Sequence, residues 1–253
     1  MPITVKSSRE IELMTEAGRI LEIVHKELEK ALHPGMTTKA IDRLGEEIIR
    51  SYGCIPSFLD YNGYPASICV SVNDEVVHGI PSEHRIIREG DIVSLDAGVI
   101  YKGYHSDAAR THCVGEVSKE AQDLVCVTRE CFFEGIKYAK EGNHLFDISG
   151  AIGRYAEERG YGVVRDLCGH GIGTALHEAP EIPNYEMKRK GVLLKAGMTL
   201  AIEPMINIGG WEVDWMDDDW TVVTRDHSLS AHYENTVLIT ENEPKLLSLT
   251  EGI

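Results

Sequence analysis

Apolar residues at the start of the chain recur at helical spacing, and the period then changes more than once. Ser7-x-x-Glu10 has the form of a capping box, in which each side chain satisfies the other residue's backbone N–H. Behind it Ile11, Met14, Gly18, Leu21, Val24 and Leu28 share one helical face, and His33-Pro34-Gly35 stops the run. The pattern predicts a second helix from Thr37 or Thr38 that buries Ile41, Leu44, Ile48 and Ile49 and ends at Gly53. Short β-branched runs separated by turn residues follow over 66–72, 91–99 and 104–115. Two helical stretches, 118–141 and 145–159, close at Gly142 and Gly160, and strand-like runs return over 198–208, 212–224 and 230–240. The order is helix, helix, strands, and then the same again.

A weak internal repeat matches that order. His78-Gly79-Ile80 recurs as His170-Gly171-Ile172. Gly90 precedes Asp96 by six residues, and Gly197 precedes Glu203 by six. Each of these acids is followed by another in a later strand-like run, Asp107 and Glu234 respectively. The expectation is one catalytic domain over 1–253 with two related halves, roughly 1–116 and 117–253, each delivering two carboxylates to a shared cleft.

Those acids stand in unusual company. Asp96 sits in Asp91-Ile-Val-Ser-Leu-Asp-Ala-Gly, a run that otherwise reads as a buried strand, and Glu203 follows Leu-Ala-Ile. A buried carboxylate costs several kcal/mol unless it is paired or bound to a metal. If the chain turns near Tyr101 to Gly103, Asp96 and Asp107 become cross-strand neighbours with Cβ atoms about 5 Å apart. Two such carboxylates repel, and a cation between them removes the penalty. His170 is flanked by glycines in Cys168-Gly-His-Gly-Ile-Gly, which should let the backbone bend and bring the imidazole close to an ion. Four carboxylates and one histidine form an oxygen-rich, thiolate-free set that suits two divalent ions: Mn, Fe(II), Co or Zn. Paired metals of this kind bridge and activate a water in many hydrolases.

The 253 residues are 43% apolar and 26% charged, as in an ordinary globular protein, and no apolar run is long enough to span a bilayer. A net charge of −16 argues against nucleic acid or an anionic membrane as the main partner. Six cysteines without a Cys-x-x-Cys pair, and acids throughout the first thirty residues, point to reduced thiols and a cytoplasmic protein.

Several stretches together resemble type I methionine aminopeptidases of the bacterial short form. They are Asn62-Gly-Tyr-Pro through His78-Gly-Ile-Pro, Asp96 through Asp107, Gly169-His-Gly-Ile-Gly through His177-Glu-Ala-Pro, Ala201-Ile-Glu-Pro, and Trp220 through Glu234. The resemblance implies an α+β pita-bread fold, with two pseudo-symmetric halves of antiparallel sheet covered by helices. It implies metal ligands at Asp96, Asp107, His170, Glu203 and Glu234, the set reached above. His78 is then expected near the scissile amide, His177 at the scissile carbonyl, and Glu203 as proton shuttle for the bridging water. Phe58, Tyr61, Tyr64, Cys69, Leu176 and Trp220 would line a pocket for the methionine side chain, alongside His78 and His177. The implied substrates are nascent polypeptide N-termini in which methionine precedes a small residue, a class that includes this chain's own Met1-Pro2. The resemblance further implies a monomer that meets its substrates in transient association with the ribosome.

Three positions depart from the family pattern: His232 where glutamine is common, Asn235 where histidine is common, and Asp219 where glycine is usual. His232 and Glu234 are expected to share a strand face. Proline dipeptidases and aminopeptidase P are similar in fold and metals, but usually carry an added N-terminal domain. Creatine amidinohydrolase relatives and non-catalytic binding proteins of this fold typically lack the full ligand set that is present here.

Overall fold

The computed structural model of the chain describes residues 3–249, so the Met1-Pro2 start lies outside the described residues. Helix α1 (Ser8–Ala31) begins at the capping box, with the Ser7 hydroxyl accepting from the Glu10 N–H and the Glu10 carboxylate accepting from the Ser7 N–H. Helix α2 (Thr38–Ser51) is capped by Thr37. Strands β1 (Ile55–Pro56), β2 (Ile68–Val72), β3 (Glu75–Val77), β4 (Ile92–Tyr101) and β5 (Tyr104–Cys113) follow. Helices α3 (Lys119–Ile136) and α4 (Leu145–Glu157) come next, α3 ending five residues before the predicted 141. Ten short strands complete the chain: β6 (Gly162–Val163), β7 (Gly169–Gly171), β8 (Glu178–Ile182), β9 (Thr199–Ile202), β10 (Met205–Asn207), β11 (Val213–Trp215), β12 (Val222–Thr224), β13 (Ser230–His232), β14 (Asn235–Leu238) and β15 (Lys245–Leu246).

All the pairings between these strands are antiparallel. In the first sheet β4 is the central strand: β5 runs along one edge, and β1 and β2 share the other. The second sheet has the order β15-β14-β9-β7-β8. The trio β2-β4-β5 thus has a counterpart in β7-β9-β14. Two three-stranded sheets, β13-β10-β6 and β11-β12-β3, complete the sheet structure. The helices bury their apolar stripes on these sheets. Ile20, Leu21, Val24 and Leu28 of α1 pack with Ile68, Val70, Leu95 and Val99, while Leu124, Phe132, Ile148 and Ile152 pack with Leu200, Ile202 and Val237. Each such side chain contributes about 1.5–3 kcal/mol when fully buried. A third cluster, with Phe58, Cys69, Leu176 and Ala201, joins residues of both sheets.

The long strand runs predicted in the last third are broken. The run 198–208 splits at Glu203-Pro204 into β9 and β10, which belong to different sheets. Proline has no N–H to give a ladder, so pairing cannot continue through it. The run 230–240 splits at Tyr233-Glu234, where the Glu234 N–H turns away to donate to the Ala109 carbonyl at 3.0 Å. The run 212–224 is a hairpin, β11 with β12. Both carboxylates expected from this part of the chain therefore stand at junctions between strands.

Candidate metal centre

Asp96 lies in the middle of β4 and Asp107 in β5, joined by a two-residue turn in which Lys102 and Gly103 both have positive φ. That turn type suits the right-handed twist of a hairpin. The register corrects the expected pairing: Asp96 is opposite Ala109 and Asp107 is opposite Gly98. The two acids are diagonal neighbours on one face, about 7–8 Å apart at the backbone. The carboxylates still converge, because both line the same cavity.

His170 enters from β7. Its Nδ1 lies 2.9 Å from the Gly171 carbonyl and donates to it, which aims Nε2 at the acids, 3.7 Å from Glu203 Oε1 and 3.9 Å from Asp107 Oδ2. Carboxylate oxygens of Asp107 and Glu234 and a ring nitrogen of His170 all lie within 4.8 Å of one another. The flanking glycines act differently from expectation. A Cβ on Gly169 would lie 2.4 Å from the Ala201 carbonyl oxygen, and one on Gly171 would lie 2.2 Å from that of Ala179. They let β7 fit between β8 and β9, and access to an ion is not what requires them.

The centre is short of partners in the way an ion would relieve. Asp96 Oδ1 and Glu234 Oε1 are buried and accept no hydrogen bond among the described residues. Burial pushes the Glu203 carboxyl up to about 8. Burial likewise raises Asp96 to about 7, with the Glu203 charge adding to the rise and His232 opposing it. Asp107 and Glu234 are also raised well above the ordinary range, first by burial and then by the neighbouring carboxylates. Burial holds His170 neutral, at about 3, with its lone pair available. Oxygen-rich donors, one neutral imidazole and orphaned carboxylate oxygens fit divalent cations.

A cavity of about 190 Å³ opens beside the acids. Phe58, Tyr61, Tyr64, Cys69, Leu176, Trp220, His78 and His177 line it together with Asp96, Asp107, His170, Glu203 and Glu234, whereas His232, Asn235 and Asp219 do not. The Tyr64 and Trp220 rings meet edge to face at 5.1 Å, and the Tyr64 hydroxyl donates to the Gly79 carbonyl. The His177 ring meets the His170 ring edge to face, centroids 4.1 Å apart, and its Nδ1 is 2.6 Å from the Tyr61 hydroxyl. His78 sits in a left-handed backbone conformation just after β3, and burial lowers it to about 4. The His-Gly-Ile copies therefore occupy different settings, one after a strand and one within it.

Sequence reasoning passed over Asn62, which also lines the cavity. It also passed over the groups that hold the ligands. Thr236 Oγ1 accepts from the Asp107 N–H at 2.8 Å and donates to the Asp107 carbonyl. Asn184 donates to the Glu203 carbonyl, and Arg110 donates to the Glu234 carbonyl. Such outer partners fix ligand orientation. Their partners are 19 to 129 residues away in sequence, so no local signal marks them.

The sequence profile of metallopeptidase family M24 matches residues 12–241. The chain belongs to family M24. This M24 chain is 54% identical to a methionine aminopeptidase of Clostridium acetobutylicum over 98% of its own length and 100% of that protein. It is 51% identical to a methionine aminopeptidase of Clostridium perfringens over 98% and 99%. The crystal structure of methionine aminopeptidase from Thermotoga maritima superposes with a TM-score of 0.96 at 45% identity, covering 98% of this chain and 100% of that one. The α+β pita-bread fold is thus the fold of this M24 chain.

Proposed function

We propose that this chain is a metal-dependent aminopeptidase that removes the N-terminal methionine from new polypeptides when the second residue is small. The observation that carries the reading is the convergence of four buried carboxylates and His170 on one wall of a cavity whose other walls are apolar and aromatic. The relatives named as methionine aminopeptidases support the same reaction.

Asp96, Asp107, His170, Glu203 and Glu234 would hold two divalent ions, with Co, Mn, Fe(II) and Zn all compatible with the donor set. Bound there, the ions supply Lewis acidity and a water acidic enough to serve as nucleophile. Glu203 would take the proton from that attacking water and pass it to the leaving amine. His177 is kept neutral by burial, and the Tyr61 hydroxyl donates to its Nδ1, which leaves Nε2–H as a donor toward the scissile carbonyl oxygen. His78 bonds near the scissile amide. Phe58, Tyr61, Tyr64, Cys69, Leu176 and Trp220 receive the methionine thioether, for which aromatic edges are favourable neighbours.

The two structural halves, 1–116 and 117–253, act as one catalytic unit in this reading, since each supplies two of the acids. No described helix is long and apolar enough to cross a membrane. A monomer working in the cytoplasm on nascent chains, in transient contact with the ribosome, is the setting we propose.

Cleavage needs the carbonyl carbon within about 3–3.5 Å of the nucleophile, and a bulky second side chain pushes it away. Met-Ala-Ser should therefore be cut and Met-Lys-Ser spared, with cleavage lost on chelation and restored by Mn or Co. Equal rates on the two peptides, or full activity in the stripped protein, would overturn the reading.

A further inference from the structure

Behind the metal centre lies a second cavity, of about 290 Å³, that shares no lining residue with the first. The His232 ring stands between them, lining the second cavity while its Nε2 lies 3.6 Å from Glu203. The methionine-excision reaction has no use for this space, yet its walls carry an unusual set of groups.

Two arginines face it with no carboxylate in hydrogen-bond or ion-pair contact among the described residues, although the charges of Glu234 and Glu22 act on Arg110. Arg110 donates only to neutral oxygens: the carbonyls of Ala109 and Glu234 and the side-chain amide of Asn235. Arg129, on the exposed face of α3, makes only a cation–π contact with Phe133, at 4.7 Å. Glu22 pairs with Lys26 at 3.0 Å, and Glu29 leans toward His112 Nδ1 at 3.8 Å. The wall also carries buried acceptors. His25 Nε2 lies 2.8 Å from the Ala108 carbonyl and must carry the hydrogen, which leaves Nδ1 bare. Among the described residues neither His25 Nδ1 nor His112 Nε2 has a hydrogen-bond partner, and both are buried.

Guanidinium donors facing the bare Nδ1 of His25 call for a ligand that is both anionic and a hydrogen-bond donor. Sulfate and chloride meet only the first demand. A phosphate group that retains one proton meets both: its charged oxygens accept from guanidinium, and its P–OH donates to an imidazole nitrogen. We propose that this rear cavity is a binding site for a protonated phosphate group, held by Arg110 and Arg129 and read by His25 and His112. The volume admits free phosphate or the head of a small phosphate monoester. Because Arg110 also holds the Glu234 carbonyl, occupancy would bear on a residue of the metal centre.

The test uses the full chain, metal-loaded and, in parallel, stripped by chelation so that no bound metal can take the anion. Thermal stability and the ring-proton resonances of His25 and His112 are followed on adding inorganic phosphate, a small phosphate monoester, or sulfate at matched ionic strength. Phosphate should raise the melting temperature and move both histidine signals, and sulfate should do neither. Arg129→Gln, a surface change that leaves the fold alone, should weaken the phosphate response about tenfold, the scale of one charge-assisted contact. A response to the monoester alone would identify a phosphorylated metabolite as the occupant and still support the site. Equal effects of sulfate and phosphate, or an undiminished phosphate response in Arg129→Gln, would overturn it. None of these readouts depends on peptidase activity.

Discussion

The imidazole of His232 lies 3.6 Å from the Glu203 carboxylate, Nε2 to Oε2, and neither of its ring nitrogens has a hydrogen-bond partner. It reaches the acids from the end of β13, before the chain breaks at Tyr233-Glu234, and the shared strand face expected for His232 and Glu234 does not form. His232 also opposes the rise of the Asp96 carboxyl. Glutamine would keep a polar side chain beside Glu203 but could not titrate, so methionine excision should persist in His232→Gln with a shifted pH profile. An unchanged profile would reduce His232 to a packing residue.

Loss of a ligand and loss of a catalytic donor should be separable. Asp107→Ala removes a carboxylate from the converging cluster, and metal analysis of the purified variant should find less bound ion. His177→Ala leaves the acids intact and should retain metal while turnover falls by about 10²–10³, the scale of one oxyanion donor. An empty metal centre in His177→Ala would refute this division of roles.

The raised carboxyls give the metal-free protein a pH dependence of definite sign. Asp96 at about 7 and Glu203 at about 8 stand above their unfolded values, so their contribution to stability is full in acid and is lost as pH rises through those values. The histidines lowered to about 3 or 4 oppose this only below about 6.5, where the unfolded chain protonates them. Between about pH 6.5 and 8 the stripped protein should therefore melt at progressively lower temperature, and added Mn should flatten the curve. Titration calorimetry in buffers of different ionisation enthalpy should show proton release on metal binding near pH 6.5. A flat melting curve without metal would mean that the acids are already charged.

Gly171 offers a purely steric test. A methyl group there would lie 2.2 Å from the Ala179 carbonyl oxygen, inside a central strand. Gly171→Ala should cost about 1–3 kcal/mol, lowering the melting temperature by several degrees. If stability is unchanged, the strand packing around β7 is looser than described.

Much of this site is visible in the sequence because a buried acid is conspicuous. Asp96 announces itself by the apolar run around it, and Glu203 by the Leu-Ala-Ile before it. Strand limits are harder to see, although Pro204 carried a readable signal: a residue without an N–H cannot continue a central strand. The glycines beside His170 were legible as important but not for the right reason, because the carbonyls that exclude a side chain there belong to distant segments. Arg110, Thr236 and Asn184 left no trace, since their work is done on backbone atoms of residues remote in sequence. The rear cavity is of the same kind. Its walls come from α1, β5, α3 and the chain around residue 248, and no linear pattern brings those together.

The placement of the acids also sets a timetable. Asp96 and Asp107 share one tight hairpin, whose contacts are local and form early. His170, Glu203 and Glu234 reach the same spot only after β7, β9 and β14 have assembled, and Glu234 lies well over a hundred residues beyond Asp96. A growing chain thus carries two neighbouring carboxylates that water screens until its last strands bury them. Competence to bind metal is therefore among the last properties this protein acquires, and metal uptake can serve as a clock for the completion of folding.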